Sequence, residues 1–412
     1  MDKKTILFVS YGGGHVHMLA PLILEAQKDQ RLEPRTIGLT IAQKIYRNQY
    51  GIECEGAKEY ITKDDTDARR FGLQLLQKMQ ANGNYVDDIE ETVAYLGTSF
   101  ADLVQTEGSE KKAWESYRSN GRAAFLPLTF MRRAFDRIQP DLLVTTNSPR
   151  GEKAAQTVAR ERGIRSILLT DLFNCPPEYN FFADRICVLS ESAKKNLLEW
   201  NGTDESKIVI TGNPAFDESI EKAGLVDYEW REKHLGCGRD EKLFLWADQP
   251  GRFDWNSLQL IARTETELID TLNELLISSR RENLKLMIRS HPSQDVQLYR
   301  DWCSKHDVPL VNEPEINKLI NAVDVLGSSS STVLLQAYFI GRIVFQLSLG
   351  GGKKVINIEN WKNVFVADEV DNIPSAMAMA AKAMLKRSYC SSIEKSTPKV
   401  MKLILQTLDD MN

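Results

Sequence analysis

Residues Thr5 to His15, with the sequence TILFVSYGGGH, decide the fold. An apolar run of strand length, Thr5 to Ser10, leads into a turn of three glycines, Gly12 to Gly14, and a helical pattern follows from His15 to Lys28. A short apolar strand, a glycine-rich turn and a helix form the opening unit of a parallel α/β sheet. The sequence therefore predicts that the chain begins with a parallel α/β domain.

The same alternation of strands and helices recurs in two series along the chain. The predicted strands lie at residues 35–39, 141–145, 166–170, 185–189 and 207–211 in the first series, and at 243–247, 285–289, 308–311, 323–327 and 343–347 in the second. Residues 64–135 are charged, amphipathic and poor in strand patterns, which indicates a helical insertion in the first series. A helix is also predicted over residues 257–278.

Two parallel series predict an α/β protein with two Rossmann-like domains facing a cleft. We expect an N-terminal domain at 1–212, a linker at 213–240, a C-terminal domain at 241–385 and a helical tail at 386–412. Ligands of such sheets bind beyond the carboxyl ends of the strands, and candidate functional residues are therefore sought there.

Composition and charge exclude several classes of protein. The 412 residues carry a formal net charge of −5, whereas general nucleic-acid binders usually carry a basic surplus. No apolar run reaches the roughly 18 residues that span a bilayer. The six cysteines include no CxxC pair and the five histidines no HExxH motif, which predicts free thiols and no metal site. We expect a cytoplasmic protein that binds no nucleic acid.

The first candidate site is the glycine turn with His15 behind it. Glycines allow the backbone to approach a ligand closely, so Gly13 and Gly14 are predicted to contact a polar ligand such as a sugar. The dipole of the helix that His15 opens is expected to lower the pKa of this histidine. His15 would then be a neutral imidazole that accepts a proton as a general base.

Other residues at this edge of the sheet complete the first site. Asp171 follows the strand at 166–170 and is expected to orient His15 by a hydrogen bond, while Arg150 follows the strand at 141–145 and is predicted to contact a ligand. A carboxylate of the helical insertion, Asp88 or Glu91, is the competing candidate for the base.

The second candidate site combines two loops of the C-terminal series. Arg289, His291 and Pro292 follow the strand at 285–289, and arginine and histidine both suit a phosphate. A run of hydroxyl residues follows the strand at 323–327 and is also predicted to bind phosphate oxygens: Ser328, Ser329, Ser330, Ser331 and Thr332.

These motifs resemble those of the GT-B glycosyltransferases, a superfamily that includes the non-hydrolysing UDP-N-acetylglucosamine 2-epimerases. Residues 11–16, YGGGHV, look like the glycine-rich loop of the peptidoglycan N-acetylglucosaminyltransferase, and residues 207–214, KIVITGNP, are similar to a hinge segment of that group. His291-Pro292 followed by the serine run resembles the HP and SS/ST motifs of bacterial sialyltransferases and Kdo transferases.

The resemblance implies an inverting, metal-independent glycosyltransferase of bacterial surface glycans such as capsule or lipopolysaccharide. Its donor would be a nucleotide-sugar, with a CMP-activated acidic sugar of nonulosonate or Kdo type expected, and it would need no cofactor. The acceptor, a glycan or a lipid-linked glycan, would bind Gly13, Gly14 and Arg150 on the N-terminal domain. A lipid-linked acceptor implies at most peripheral association with the inner membrane.

Two alternatives remain open within the resemblance. Many UDP-sugar enzymes carry a glutamate on the helix after the serine run, where this chain has Gln336, but a UDP-sugar-dependent transferase remains possible. The other alternative is a 2-epimerase, whose N-terminal loop usually reads Gly-Thr-Arg-Pro-Glu rather than Gly-Gly-Gly-His. A nucleotide-sugar sensor without catalysis has no supporting feature in the sequence.

Overall fold

The structure is a computed structural model that divides the chain into two compact units. Unit 1 comprises Met1–Asp217 and Lys395–Asn412, and unit 2 comprises Glu218–Glu394. The residues described are 3–81, 88–171, 183–221, 226–249, 251–254, 259–291, 294–311, 316–349, 358–385 and 394–410. Each unit contains a parallel sheet with helices, so the predicted α/β fold class is confirmed.

Unit 1 is built on a sheet of six parallel strands in the order β2-β1-β3-β4-β5-β6. The strands are β1 Lys4–Tyr11, β2 Leu32–Leu39, β3 Leu142–Thr145, β4 Arg165–Leu169, β5 Arg185–Val188 and β6 Ile208–Ile210. Residues Ile6 to Val9 of β1 are completely buried, because helices cover both faces of a parallel sheet. The opening strand predicted from the sequence is therefore a central strand of the sheet.

The helices of unit 1 include those of the predicted insertion. They are α1 Gly13–Lys28, α2 Ile41–Ile45, α3 Thr66–Ala81, α4 Ile89–Glu107, α5 Glu110–Asn120, α6 Leu128–Ile138, α7 Gly151–Glu161, α8 Glu191–Asn201 and α9 Asp217–Glu221, which begins at the last residue of this unit. In the insertion, α3 and α4 approach so closely that a Cβ on Gly97 would lie 1.9 Å from the carbonyl oxygen of Ala68. A glycine is required at this crossing.

Unit 2 is built on a second parallel sheet, with five strands in the order β10-β7-β11-β12-β13 and a separate antiparallel hairpin of β8 and β9. The strands are β7 Lys242–Ala247, β8 Gly251–Asp254, β9 Gln259–Ala262, β10 Leu284–Arg289, β11 Val325–Ser328, β12 Ile343–Leu347 and β13 Val364–Ala367. The helices are α10 Tyr228–Leu235, α11 Glu265–Arg281, α12 Val296–His306, α13 Ile316–Ala322, α14 Val333–Phe339 and α15 Ile373–Leu385.

Three predictions for unit 2 were wrong or incomplete. Residues 308–311 form only an isolated bridge, in which Leu310 pairs with Ile288, because two residues of pairing do not extend into a strand. The helix predicted from residue 257 begins at Glu265, where Thr264 and Glu267 form a capping box, and β9 precedes it. The strand β13, beside β12, was missed.

The last helix of the chain, α16 (Ser396–Asp409), belongs to unit 1 rather than to a separate tail. Val400, Ile404 and Leu408 are buried in the same apolar cluster as Ile6 and Phe8 of β1. The predicted linker is also structured in part, because α10 is tied into unit 2 by a fully buried ion pair between Arg231 and Asp324, with an N–O distance of 2.9 Å. Among the described helices, none combines the length and apolar character needed to cross a membrane.

Candidate functional site

The glycine turn places His15 at the carboxyl end of β1. The strand ends at Tyr11, Gly12 has a φ of 88° that L-residues rarely adopt, and α1 begins at Gly13, which puts His15 in its first turn. The side chain of His15 is 18% exposed, and its Nδ1 lies 3.1 Å from Oε1 of Glu152. Imidazole and carboxylate therefore form a hydrogen-bonded pair.

Glu152 is the central residue of this site and was not predicted from the sequence. It is fully buried in the first turn of α7, and its Oε1 also accepts the backbone N–H of Tyr11 at 2.8 Å and the hydroxyl of Thr146 at 3.1 Å. Its Oε2 is buried and has no hydrogen-bond partner within the described part of the chain. The sequence feature that could have identified Glu152 is its position in the segment after the predicted strand at 141–145, two residues beyond Arg150.

Asp171 does not orient His15, contrary to the prediction. Its Oδ2 lies 4.0 Å from Nε2 of His15, beyond hydrogen-bond distance, and its backbone N–H donates to the side chain of Asn147 at 3.3 Å. At this distance Asp171 acts on the ring through its charge rather than through a hydrogen bond. The carboxylate of Glu152 is therefore nearest Nδ1 of the ring, and that of Asp171 is nearest Nε2.

The pKa of His15 is raised above its usual value of 6.5, which contradicts the predicted lowering. Burial of the ring lowers the pKa, but the hydrogen bond to Glu152 and the charges of Glu152 and Asp171 together outweigh that effect. A carboxylate in direct contact has more influence than the partial charge at a helix end. His15 is therefore easily protonated, as a base that receives a substrate proton must be.

Arg150 lies two residues before Glu152 in the chain, and its contact with a ligand stays a prediction. It immediately precedes α7, and its guanidinium lies 4.7 Å from the centre of the Tyr11 ring. Its Nε is buried and makes no hydrogen bond to any residue described here. Gly14 is open on its Cβ side, where a side-chain carbon would meet no atom within 4 Å.

The carboxylates of the helical insertion lie at the start of α4. Asp88 caps this helix by accepting the N–H of Glu91 at 2.9 Å, and it also accepts Lys58 Nζ at 2.6 Å. Burial raises the pKa of Asp88, but these hydrogen bonds outweigh it and the pKa is lowered overall. Glu91 is fully buried and accepts the N–H groups of Ala57 and Lys58. Both carboxylates therefore have structural partners, although the part that Asp88 plays in catalysis stays a prediction.

In unit 2, Arg289 is the last residue of β10 and His291 lies in the loop that follows, and both are partly buried. The N–H of His291 donates to Oε1 of Gln294 at 3.0 Å, and the N–H of Gln294 donates to the carbonyl of His291 at 3.0 Å. Pro292 lies outside the described residues. The loop is thus closed by Gln294, which the sequence analysis did not identify.

A buried network of hydrogen bonds holds Gln294 and, through it, the loop that carries His291. Gln294 Nε2 donates to the hydroxyl of Tyr299 at 2.7 Å, and that hydroxyl donates to Asp248. Asp248 also accepts Trp246 Nε1 at 2.9 Å and a hydrogen bond from Arg263. The network connects α12 and β7 to the backbone of His291.

The predicted serine run begins at the end of β11, beside β12. Ser328 is fully buried, and its Oγ makes no hydrogen bond within the described chain. Ser329 and Ser330 are half-buried, and the hydroxyl of Ser331 accepts the N–H of Val333 at 3.3 Å. Thr332 is exposed and makes no side-chain cap. Ser328 is thus the residue of the run whose buried hydroxyl has no partner among the described residues, and binding of phosphate by the run stays a prediction.

The chain was compared with known proteins. No family model matches it, and no curated protein matches it. Among solved structures, the UDP-GlcNAc 2-epimerase from Neisseria meningitidis bound to UDP-GlcNAc is 14% identical with a TM-score of 0.60, covering 98% of this chain and 100% of that chain. The UDP-GlcNAc 2-epimerase from Methanocaldococcus jannaschii is 12% identical with a TM-score of 0.59, covering 98% and 99%. A glycosyltransferase from Rickettsia africae is 12% identical with a TM-score of 0.54, covering 100% and 99%.

The chain has the GT-B-like fold. The likeness extends over nearly the full length of each of these proteins, and the sequence prediction of this fold is confirmed. At such low identity the likeness concerns the fold alone. These proteins share one fold but are named for two activities, sugar epimerisation and glycosyl transfer.

Proposed function

We propose that this protein is a UDP-sugar-dependent glycosyltransferase in which His15 is the general base. The observation that carries the proposal is the pair of His15 with the buried carboxylate of Glu152 at the carboxyl end of β1. A histidine oriented by a carboxylate on one ring nitrogen can accept a proton on the other. This arrangement suits an acceptor hydroxyl that must be deprotonated before it attacks a sugar.

The proposed reaction assigns a step to each part of the site. Nδ1–H of His15 donates to Glu152, so Nε2 carries the lone pair that takes the proton from the acceptor hydroxyl. The acceptor oxygen then forms a bond to the anomeric carbon while the bond to the nucleotide phosphate breaks. Glu152 and Asp171 stabilise the imidazolium that results. Arg289, His291 and Ser328 of unit 2 stay proposed as the residues that bind the phosphate of the nucleotide.

The choice of UDP rests on the solved structures of the same fold. Several of them are named as UDP-GlcNAc enzymes, including one bound to UDP-GlcNAc. No comparison supports a CMP-activated acidic sugar, which stays a prediction from the HP and serine motifs. Surface glycans such as capsule or lipopolysaccharide remain the proposed destination of the sugar.

A second candidate function is epimerisation of a UDP-sugar at its C2 carbon. It is favoured by the names of the similar structures, which this chain matches over 98–100% of its own length. In that case a base removes the C2 proton and no acceptor is needed. The two functions therefore differ in whether turnover depends on a second substrate.

The test uses the full chain and a panel of UDP-GlcNAc, CMP-N-acetylneuraminate and GDP-mannose without an acceptor. We expect the UDP-sugar to raise the melting temperature most, since a specific ligand stabilises by mass action, and to be hydrolysed slowly without epimerising. His15→Asn should abolish the hydrolysis but retain the stabilisation, whereas Ser328→Ala and His291→Ala should reduce the stabilisation. Appearance of the C2 epimer by NMR would establish the isomerase instead, and preference for the CMP-sugar would restore the first prediction. No stabilisation by any nucleotide-sugar would overturn the proposal.

A further inference from the structure

Unit 1 contains a pocket that the proposed chemistry does not yet use. Its volume is about 440 Å³, within the range of roughly 300–1,000 Å³ typical of small-molecule sites. Its wall is formed by the segment Thr40–Asn48 after β2, by the first turns of α4, and by Met79 and Arg122. We call it the unit-1 pocket.

The unit-1 pocket is positively charged. Arg47 and Arg122 line it together with Lys44, and Asp88 is the one carboxylate among the described residues that line it. Asp88 already lies 2.6 Å from Lys58 Nζ, so its charge is compensated. Arg47 faces a partner outside the pocket, Glu53, whose side chain is 92% exposed and 3.7 Å away, and such an exposed pair is weak. The pocket therefore favours an anionic ligand.

Two buried polar side chains in the same wall provide independent evidence of a ligand. Tyr95 is fully buried, and its hydroxyl has no hydrogen-bond partner among the residues described. Gln43 is 4% exposed, and its side-chain Nε2 and Oε1 also make no hydrogen bond to a described residue. Leaving such groups without hydrogen bonds costs free energy. Ligand hydroxyl groups would satisfy a phenol and an amide together.

The unit-1 pocket adjoins the His15 site through Tyr11. This residue lines the pocket, while its backbone N–H donates to Glu152 at 2.8 Å. Its ring lies 5.7 Å from the ring of Tyr95 and 4.7 Å from the guanidinium of Arg150. A ligand in the pocket therefore lies next to Tyr11, whose backbone N–H is hydrogen-bonded to the carboxylate that also binds His15.

We propose that the unit-1 pocket binds an anionic sugar, a saccharide unit that carries a phosphate or carboxylate group. The cations bind the acid group, and Tyr95 and Gln43 bind hydroxyls of the ring. The inference rests on the proposed function, because this sugar would be the part of the acceptor that presents its hydroxyl to His15. It adds a substrate class, an acidic acceptor, that the fold by itself does not specify.

The first experiment measures binding by isothermal titration calorimetry on the full chain without any nucleotide. The probes are glucose 6-phosphate, glucuronate, neutral glucose and inorganic phosphate. We expect one of the two acidic sugars to bind at least tenfold more tightly than both glucose and inorganic phosphate, and which one binds identifies the acid group. Equal binding of inorganic phosphate and the sugar phosphate would mean that the pocket holds an adventitious anion, and would overturn the proposal.

Three variants then locate the site. Arg122→Gln should weaken binding of the acidic sugar at least tenfold, because it removes a charged hydrogen-bond donor. Tyr95→Phe should weaken it about fivefold or more without lowering the melting temperature, since it removes a hydroxyl that makes no hydrogen bond to any of the described residues. Arg69→Gln, an exposed arginine of α3 outside the pocket, is the matched control and should bind as the wild type does.

The outcomes separate this inference from the proposed function. Stabilisation by UDP-GlcNAc without binding of either acidic sugar overturns the inference alone. Binding of an acidic sugar without any nucleotide-sugar turnover overturns the proposed function alone. Displacement of the bound sugar by UDP, with the same sensitivity to Arg122→Gln, would assign the unit-1 pocket to the nucleotide and overturn the inference.

Discussion

At the scale of single residues, the candidate site depends on a buried glutamate, Glu152, that is hydrogen-bonded to His15. Glu152 receives three donors on one carboxylate oxygen, from Tyr11, Thr146 and His15. One atom of Glu152 thus connects the end of β1, the loop after β3 and the first turn of α1. The basicity of His15 is therefore set by a residue 137 positions away in the chain.

The first prediction concerns the titration of His15. Because Glu152 helps to raise the pKa of this histidine above 6.5, Glu152→Gln should move its titration to lower pH. Wild-type turnover should fall as the pH drops through the raised pKa, since the base must be neutral, and this acidic limb should shift to lower pH in the variant. Histidine NMR titration measures the pKa directly, with the signal assigned by His15→Asn.

The control for this prediction is Asp171→Asn, which should shift the titration less because its carboxylate makes no hydrogen bond to the ring. A His15 signal in Glu152→Gln that titrates at or above the wild-type pH would contradict the assigned role of Glu152.

At the scale of elements, short polar networks hold functional loops against their helices. Gln294 closes the turn at His291, and Tyr299, one turn into α12, connects Gln294 to the buried Asp248. Likewise Glu91 ties α4 to the backbone of the short helical turn at residues 57–60. In both cases a side chain of the neighbouring helix, Tyr299 of α12 or Glu91 of α4, helps to fix the position of the loop.

The second prediction is that Tyr299→Phe weakens nucleotide binding by about five- to tenfold. The substitution removes one hydroxyl that both accepts from Gln294 and donates to Asp248, and a hydrogen bond of this kind contributes on the order of 1 kcal/mol. Tyr299 is a positioning residue, so the KM for the nucleotide-sugar should rise more than kcat falls. Tyr228→Phe in the same unit is the control, and equal affinities in both variants would exclude the network from binding.

The third prediction concerns stability and pH at Glu91. Burial raises the pKa of Glu91 from 4.5 to about 7 in the folded protein. The folded state therefore retains this proton at a pH where the unfolded state releases it, and the free energy of unfolding should fall as pH rises from about 4.5 to 7.

The pH dependence of stability should be smaller in Glu91→Gln, by on the order of 3 kcal/mol across this pH range. Urea unfolding of wild type and variant at matched pH values measures it, and the difference in slope is free of the absolute cost of the substitution. Parallel curves for the two proteins would mean that Glu91 ionises normally.

At the scale of the whole molecule, the chain returns to its first unit after completing the second. The helix α16 fills the apolar cluster of unit 1 with Val400, Ile404 and Leu408, next to α1 and β1. In addition, Asp217 accepts the backbone N–H groups of Ser396 and Thr397, both at 2.7 Å, which fixes the start of that helix. Residues at the far end of the chain are thus part of the first core.

The fourth prediction is that Ile404→Ala destabilises unit 1 by about 2–4 kcal/mol, the usual cost of a buried isoleucine replaced by alanine. Hydrogen exchange should show reduced protection of the amides of β1. Lys402→Ala, on the exposed face of the same helix, should leave protection unchanged. Unaltered exchange in β1 for Ile404→Ala would contradict the assignment of α16 to unit 1.

Local patterns in the sequence were sufficient to predict the two α/β units. Apolar runs of strand length, glycine turns and helical periodicity are properties of neighbouring residues, and they located most strands and the turn before His15. The same local logic failed at residues 308–311 and at the hairpin before α11, because both depend on pairing rather than on composition.

The composition of the site was decided only by the tertiary structure. His15, Arg150 and the serine run follow strands and could be found by that rule, but the partnership of His15 with Glu152 rather than Asp171 could not. It depends on the register of β1 beside β3, which packs α7 against β1 and brings Glu152 to the strand end that precedes His15. The helix dipole is a local property and predicted a lowered pKa for His15. The carboxylate that raises this pKa is in contact with His15 only after the chain has folded, because 137 residues separate the two in sequence.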